Sequence, residues 1–228
     1  MKKIGLITAM AKELKVFLQK LGKEKEKIES KGFCVYRFEL AGEKELFVTD
    51  SGVGEVSSAI ATQMLVDRFD VEMVMNFGVC GSLDNSLDVA DIVFGESVYH
   101  FDRDTSALDG VEVGYYTEYN EKYLKADETT LSWAKEIAPE VRAVRIASSE
   151  KFVASSKLKA ELQKEGASVC EMEALGVLLT AKRNNLPFLL IKAVSDKADE
   201  EAKMSFNEML SLAMQKCSDL ISILINNF

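Results

Sequence analysis

An α/β fold is predicted: a single-domain, three-layer sandwich in which helices flank a mixed, largely parallel sheet. Three observations predict it. Apolar runs of strand length alternate with segments of helical periodicity along the chain. Several of those runs are almost continuously apolar, the pattern of strands buried on both faces. The chain has 228 residues and is 47% hydrophobic, enough for one large domain with a sizeable core. The domain is read as residues 1–228. Neither of the two prolines marks a border, and no internal repeat or low-complexity linker divides the chain.

The elements follow in order. Ile4–Ala9 is the first strand. Met10–Leu21 is a helix, with Leu14, Phe17, Leu18 and Leu21 at helical spacing. The run KLGKEKEKIESK, Lys20–Lys31, alternates in sign and reads as a solvated helix end and loop. Phe33–Leu40 alternates and Glu45–Thr49 is short, so the two form a hairpin around Ala41-Gly42-Glu43-Lys44. Ser51-Gly52-Val53-Gly54 is a turn. Glu55–Phe69 is an amphipathic helix with Ile60, Met64, Leu65 and Phe69 on one side. Val71–Phe77 is a buried strand that ends in the glycine-bracketed loop Gly78-Val79-Cys80-Gly81. Ala90–Val98 is a strand. Tyr99–Tyr119 is polar and irregular, and loops of that length are more often functional or interfacial than idle. Asp127–Ile137 is a helix that stops at Pro139. Val141–Ala147 is a strand, Ser155–Glu165 a helix, Ala167–Cys170 a strand, Glu173–Asn184 a helix and Leu186–Val194 a strand. The helix Ser205–Leu224 closes the fold, with Met209, Leu212, Ala213, Leu220 and Ile221 inward.

Composition excludes several classes of function. Net charge is −9, from 28 basic and 37 acidic residues. That balance disfavours nucleic acid, and no basic cluster with interleaved aromatics occurs. Cys34, Cys80, Cys170 and Cys217 are widely spaced and form no CxxC. Neither a metal site nor a disulfide framework is expected, and reduced, mostly buried cysteines point to the cytoplasm. No stretch reaches the roughly 18 apolar residues that cross a bilayer. The N-terminal Met-Lys-Lys before IGLITAM mimics a signal peptide, but the apolar run meets the charged AKELK at once and reads as a strand.

In an open α/β sheet, ligands sit beyond the carboxyl ends of the strands. Glu13, Ser51–Gly54, Gly78–Gly81, Met172–Glu173 and Ser195–Asp196 all fall at such ends. Each has a plainer reading. Glu13 is also what a first helical turn favours beside its dipole. The glycine segments are also turns; SGVG and GVCG match neither GxGxxG nor a Walker A loop. Ser195-Asp196 also caps the segment after it. In Glu171-Met172-Glu173 the two acids share one face if the segment is extended. If a helix begins at Glu173 they diverge, and Glu171 meets solvent or a structural partner. Met10 and Met172 taken alone are core residues. His100 is the only histidine. It has no GxSxG elbow beside it for a triad, and reads as loop or interface packing.

Taken together, IGLITAMAKEL, DSGVGEVSSA, MNFGVCGSLD, VADIVFGESVYHFDRDTSA, SSEKFV, VCEMEALG, IKAVSDKAD and MSFNEML resemble the 5′-methylthioadenosine/S-adenosylhomocysteine nucleosidases of the purine nucleoside phosphorylase superfamily. The match runs nearly end to end, and EMEA followed by a strand ending in SD is its most specific part. The resemblance implies a catalytic set. Glu13 is the acid that activates water, Glu173 the acid that hydrogen-bonds the ribose hydroxyls, and Asp196 the general acid at purine N7. It implies substrate contacts at Met10, Val79, Gly81, Phe152, Val153, Met172, Ser195 and Phe206. Phe152 would stack on adenine, and the Val153 backbone would read its edge. The partner so implied is a small nucleoside, with no cofactor and no metal. A homodimer is also implied, in which a neighbouring subunit completes the pocket and the Tyr99–Tyr119 segment suits that role.

The chain departs from that pattern. Ala11 and Lys12 stand where acids often precede the catalytic one. Val79 replaces a frequent serine, Lys192 a frequent arginine, and VEVGYY a YEYGQ-like run. The chemistry fits N-glycosidic hydrolysis, whose oxocarbenium-like transition state is served by acid and base carboxyls. Two alternatives stand beside it. One is a phosphate-dependent purine nucleoside phosphorylase of the same fold. The other is a non-catalytic nucleoside-binding protein.

Overall fold

The computed structural model describes residues 2–22 and 24–228, apart from the side chains of Met204, Ser205, Asn207 and Glu208. Met1 of the signal-like N-terminus, Lys23 of the charged run and the Ser205 side chain of the last helix therefore lie outside the described residues. The strands are β1 (Lys3–Thr8), β2 (Glu26–Ser30), β3 (Phe33–Leu40), β4 (Lys44–Asp50), β5 (Met73–Ser82), β6 (Ile92–His100), β7 (Tyr123–Lys125), β8 (Arg142–Ser148), β9 (Val169–Glu171) and β10 (Phe188–Asp196). The helices are α1 (Ala11–Leu21), α2 (Glu55–Phe69), α3 (Ser106–Asp109), α4 (Glu128–Ile137), α5 (Ser156–Lys164), α6 (Ala174–Arg183) and α7 (Ala202–Asn226). The result is the expected α/β domain with helices flanking one mixed sheet.

β5 is the axis of that sheet. All ten of its residues, MVMNFGVCGS, are buried. On one side it pairs in parallel with β1, which pairs in parallel with β4, and β3 and β2 follow antiparallel to the edge. On the other side the sheet closes on itself. β5 pairs with β10, β10 with β6, β6 with β8, β8 with β9, and β9 returns to β5. Closure brings the ends of β5, β8, β9 and β10 to one rim, where β1 and α1 meet them.

Packing supports the frame on both faces. Phe17 of α1 and Phe77 of β5 are fully buried, with ring centroids 5.0 Å apart. Burying such a ring contributes about 1.5–3 kcal/mol. α4 is capped by Asp127, whose side chain accepts the Thr130 N–H at 2.8 Å, and it ends two residues before Pro139. α7 lays Ala213, Met214, Cys217, Ile221 and Leu224 onto the β10 side of the core.

The structure corrects four local expectations. Gly78-Val79-Cys80-Gly81 is no loop: β5 runs straight through it, because β10 supplies hydrogen bonds along its whole length. Within the charged run, Glu26–Ser30 forms the edge strand β2, an ordinary place for charged residues. β7, three residues paired with β6, is too short to leave a periodic trace. Ile60 and Leu212 face outward, 56% and 46% exposed. α2 buries Ser58, Ala61, Thr62 and Leu65 instead, at i, i+3, i+4 and i+7. That stripe is small and partly polar because α2 packs tightly on α6.

The tightest point of that contact is Gly176. A methyl built there would overlap the Glu55 carbonyl oxygen and Ser58 Oγ. Backbone cannot yield as a side-chain tip can, so Gly176→Ala is expected to destabilise the fold by about 1–3 kcal/mol or more. Urea unfolding of the variant checks this, and an unchanged midpoint would show that the two helices have slack.

Candidate active site

One cavity of about 590 Å³ opens at the rim of the closed strands. Every residue that the resemblance assigns to catalysis or substrate contact lines it: Met10, Glu13, Val79, Gly81, Phe152, Val153, Met172, Glu173, Ser195, Asp196 and Phe206. Glu13 and Asp196, 183 positions apart in the chain, face the same space.

Glu13 occupies the third position of α1 and reaches back to the helix start. Its Oε2 accepts the Thr8 hydroxyl at 2.7 Å, the Met10 N–H at 2.9 Å and the Ala9 N–H at 3.1 Å. Its Oε1 accepts the Val79 N–H at 3.0 Å. Backbone N–H groups can only donate, so this cradle suits a carboxylate. Burial pushes the Glu13 carboxyl above its ordinary range, and these donors together with Lys192 oppose the rise. Oε1 lies against the bare face of Gly78, where an added methyl would sit 3.0 Å away. The glycine thus makes room for the acid rather than a turn.

Asp196 ends β10 just past a register shift. Val194 pairs with Cys80 and Asp196 with Gly81, which leaves Ser195 as an extra residue. Such bulges re-aim side chains. Here the carboxyl is held by the Ala198 N–H at Oδ1 (2.9 Å) and by Ser195 Oγ at Oδ2 (2.8 Å). The capping role open to Ser195-Asp196 is therefore filled by the Asp196 carboxyl itself. Burial raises the Asp196 pKa, against those two hydrogen bonds. A methyl on Gly81 would stand 2.9 Å from Asp196 Oδ1 and 3.2 Å from Cys170 Sγ.

Glu173 sits between β9 and α6, and its Oε1 accepts the Gly54 N–H at 3.0 Å. That bond joins the turn before α2 to the start of α6. Burial lifts Glu173 to about 7, opposed by Lys192 and aided by Glu171. A helix does begin beside Glu173, so the two acids diverge. Glu171 takes a structural partner, the buried Lys192, 2.6 Å from its Oε2. Phe152, half-exposed, meets Phe206 edge-on at 6.0 Å and 86°. Val53, Cys80, Cys170, Lys151 and Lys203 also line the cavity and escaped the sequence reading. The alternation of β5 and the brevity of β9 could have indicated the two thiols; nothing local indicated the lysines.

His100 lies outside the cavity lining. Its Nδ1 is 2.8 Å from the Tyr116 hydroxyl, and its Nε2 lies 3.0 Å from Asp102 and 3.3 Å from Glu55. Among the described residues no group of three or more His, Cys, Asp or Glu side chains is placed to hold a metal ion.

A family model described as the phosphorylase superfamily matches residues 3–226. The chain belongs to the phosphorylase superfamily. Solved structures similar to it include the futalosine hydrolase of Helicobacter pylori strain 26695, 30% identical over 100% of this chain and 98% of that one, with a TM-score of 0.94. The 5′-methylthioadenosine/S-adenosylhomocysteine nucleosidase of Helicobacter pylori is also 30% identical, over 100% and 99% of the two chains, at a TM-score of 0.94. The corresponding nucleosidase of Neisseria meningitidis is 30% identical over the whole of both chains, at 0.92. The superfamily fold therefore accounts for the closed sheet and for its cavity at the strand ends.

Burial also lifts Glu55, beside this site, to about 8, with Glu171, Asp102 and Glu150 adding to the rise. Its Oε1 is buried without a hydrogen-bond partner. Between the ordinary glutamate value and about 8, the folded protein keeps a proton that the unfolded chain releases. Stability is therefore expected to fall as pH rises through that window. Glu55→Gln should flatten the fall, as read from urea midpoints between pH 5 and pH 8. Parallel slopes for the two proteins would show that Glu55 does not carry the effect.

Proposed function

We propose that this protein hydrolyses the N-glycosidic bond of a purine nucleoside, 5′-methylthioadenosine or S-adenosylhomocysteine, releasing adenine and a ribose derivative. The observation that carries the reading is the convergence of Glu13, Glu173 and Asp196 on one otherwise largely apolar cavity. The nucleosidases and the futalosine hydrolase among its structural relatives support the same class of reaction.

The roles follow from position. Asp196, whose carboxyl burial pushes above its ordinary range, gives a proton to purine N7 as the bond from C1′ to N9 breaks. Glu13, held by four donors, accepts a proton from water as the water oxygen bonds to C1′. Glu173 accepts hydrogen bonds from the ribose hydroxyls, with Met172 against the sugar. Phe152 and Phe206 enclose the base, whose edge the Val153 backbone reads. Exchange with solvent returns Asp196 and Glu13 to their starting states. Each acid or base contributes about 10²–10⁴-fold.

Phosphorolysis fits less well. A phosphate dianion needs arginines or free N–H donors. The Val79 N–H is already engaged by Glu13, and no arginine is among the described lining residues. A second reading concerns the substrate. The futalosine hydrolase relative is as similar as the nucleosidases, so futalosine joins the candidate substrates. A homodimer is part of the proposal. Val53, Val56 and Phe152 near the cavity, and Leu108 of the Tyr99–Tyr119 segment, are exposed apolar residues that a second copy would cover. Action in the cytoplasm, in nucleoside catabolism and methionine salvage, completes the reading.

The test is a panel of 5′-substituted and unsubstituted purine nucleosides incubated without phosphate, with free base measured. Release of adenine is expected. Turnover only after phosphate is added would establish the phosphorylase instead, and no turnover of any nucleoside would favour a binding protein. Asp196→Asn and Glu13→Gln should each lower kcat by about 10²–10⁴-fold with melting temperature preserved.

A further inference from the structure

The buried cation nearest the acids lies behind the cavity wall. Lys192, in β10, is fully buried and does not line the cavity. Its Nζ is 2.6 Å from Glu171 Oε2, and both side chains are 1% exposed. An ion pair this deep adds little net stability, because desolvation offsets its attraction. Its consequence lies in what else it touches. Glu171 Oε2 also accepts the N–H of Glu173 at 3.0 Å and of Ala174 at 2.9 Å. The pair thereby fixes the first turn of α6 and the backbone that carries Glu173. Across the sheet, Lys192 is in register with Gly78, the residue against which Glu13 Oε1 rests. One ammonium group thus stands behind the supports of both acids.

We propose that Lys192 is a positioning residue for the reaction. Through Glu171 it fixes the start of α6, and its charge favours the hydrogen-bond-accepting anionic form of Glu13 and Glu173 without touching substrate. The titratable groups facing it are Glu171 of β9, Glu173 at the start of α6, Glu13 of α1, and the thiols Cys80 of β5 and Cys217 of α7. Burial alone would push Lys192 down, but Glu171 and Glu173 more than offset this and hold it above the usual lysine range. It is therefore charged whenever the site works. Lys192 also opposes the burial-driven rise of both Glu13 and Glu173.

The kinetic part of this inference rests on the hydrolase reading, so wild-type turnover is measured first. Lys192→Met is then expected to lose about tenfold in kcat/KM at pH 7, with the acidic limb of its pH profile moved up by about one unit, the tenfold equivalent. Lys192→Arg keeps the charge and should return the limb towards wild type. If Lys192→Met does not fold, Glu171→Gln/Lys192→Met removes the carboxylate that Lys192→Met alone would strand beside the vacated position. It should show a smaller shift in the same direction, because Lys192 acts on Glu173 more strongly than Glu171 does. A profile superimposable on wild type, with only a lowered melting temperature, would overturn the proposal and leave Lys192 structural. If the wild type turns over no nucleoside, the activity reading fails on its own. The Lys192 proposal is then decided by carbon-13 NMR titration of the Glu173 carboxyl in the ligand-free protein. An upward shift of about one unit in Lys192→Met supports it, and an unmoved midpoint rejects it.

Discussion

One buried ammonium group faces three buried carboxyl groups at the base of this cavity, and much of the site depends on that imbalance. Glu171 takes the cation directly. Glu13 and Glu173 receive its field without its contact, and the rest of their support comes from backbone N–H groups, joined at Glu13 by the Thr8 hydroxyl. Removing charges from water costs several kcal/mol per ion unless partners compensate. The fold supplies the compensation through helix starts and strand edges. The residues leading into α1, Ala9 and Met10, offer their N–H groups to Glu13, and the start of α6 offers its own to Glu171. The same geometry that ends strands and starts helices also carries the acids.

Closure of the sheet explains why these supports converge. β5 is bonded along its length to β10 and again at its end to β9. An open sheet would set β9 and β10 far apart. Here both return to β5, so that Glu173, which follows β9, and Asp196, which ends β10, meet across Gly81. The two glycines of β5 then have a definite use. Each leaves a side-chain-free patch into which an acid fits, Glu13 at Gly78 and Asp196 at Gly81.

Most elements were legible in the sequence because their apolar periods are strong. The misreadings have physical causes. A glycine pair reads as a turn, yet a strand paired along its length tolerates glycine where another chain segment approaches closely. Ile60 reads as core by bulk, yet close helix contact at Gly176 favours the small stripe of Ser58, Ala61 and Thr62. β7 is too short for a period, and β2 carries too many charges to resemble a strand. Within the site, the acids were legible as costly residues at strand ends. The second oxygen of each interaction, the Lys192 contact and the thiols beside Asp196 were not, because they depend on distances between distant segments.

The sequence by itself determined the order of the longer strands and helices, the superfamily resemblance, and which residue types stand at the strand ends. Local periodicity and composition are properties of neighbouring residues, so they survive in a one-dimensional record. Only the tertiary structure decided that Glu171 pairs with Lys192 while Glu173 accepts the Gly54 N–H, and that Ser195 bulges to aim Asp196 at Gly81. Those outcomes follow from register and sheet closure, where a shift of one residue would send a side chain to the opposite face.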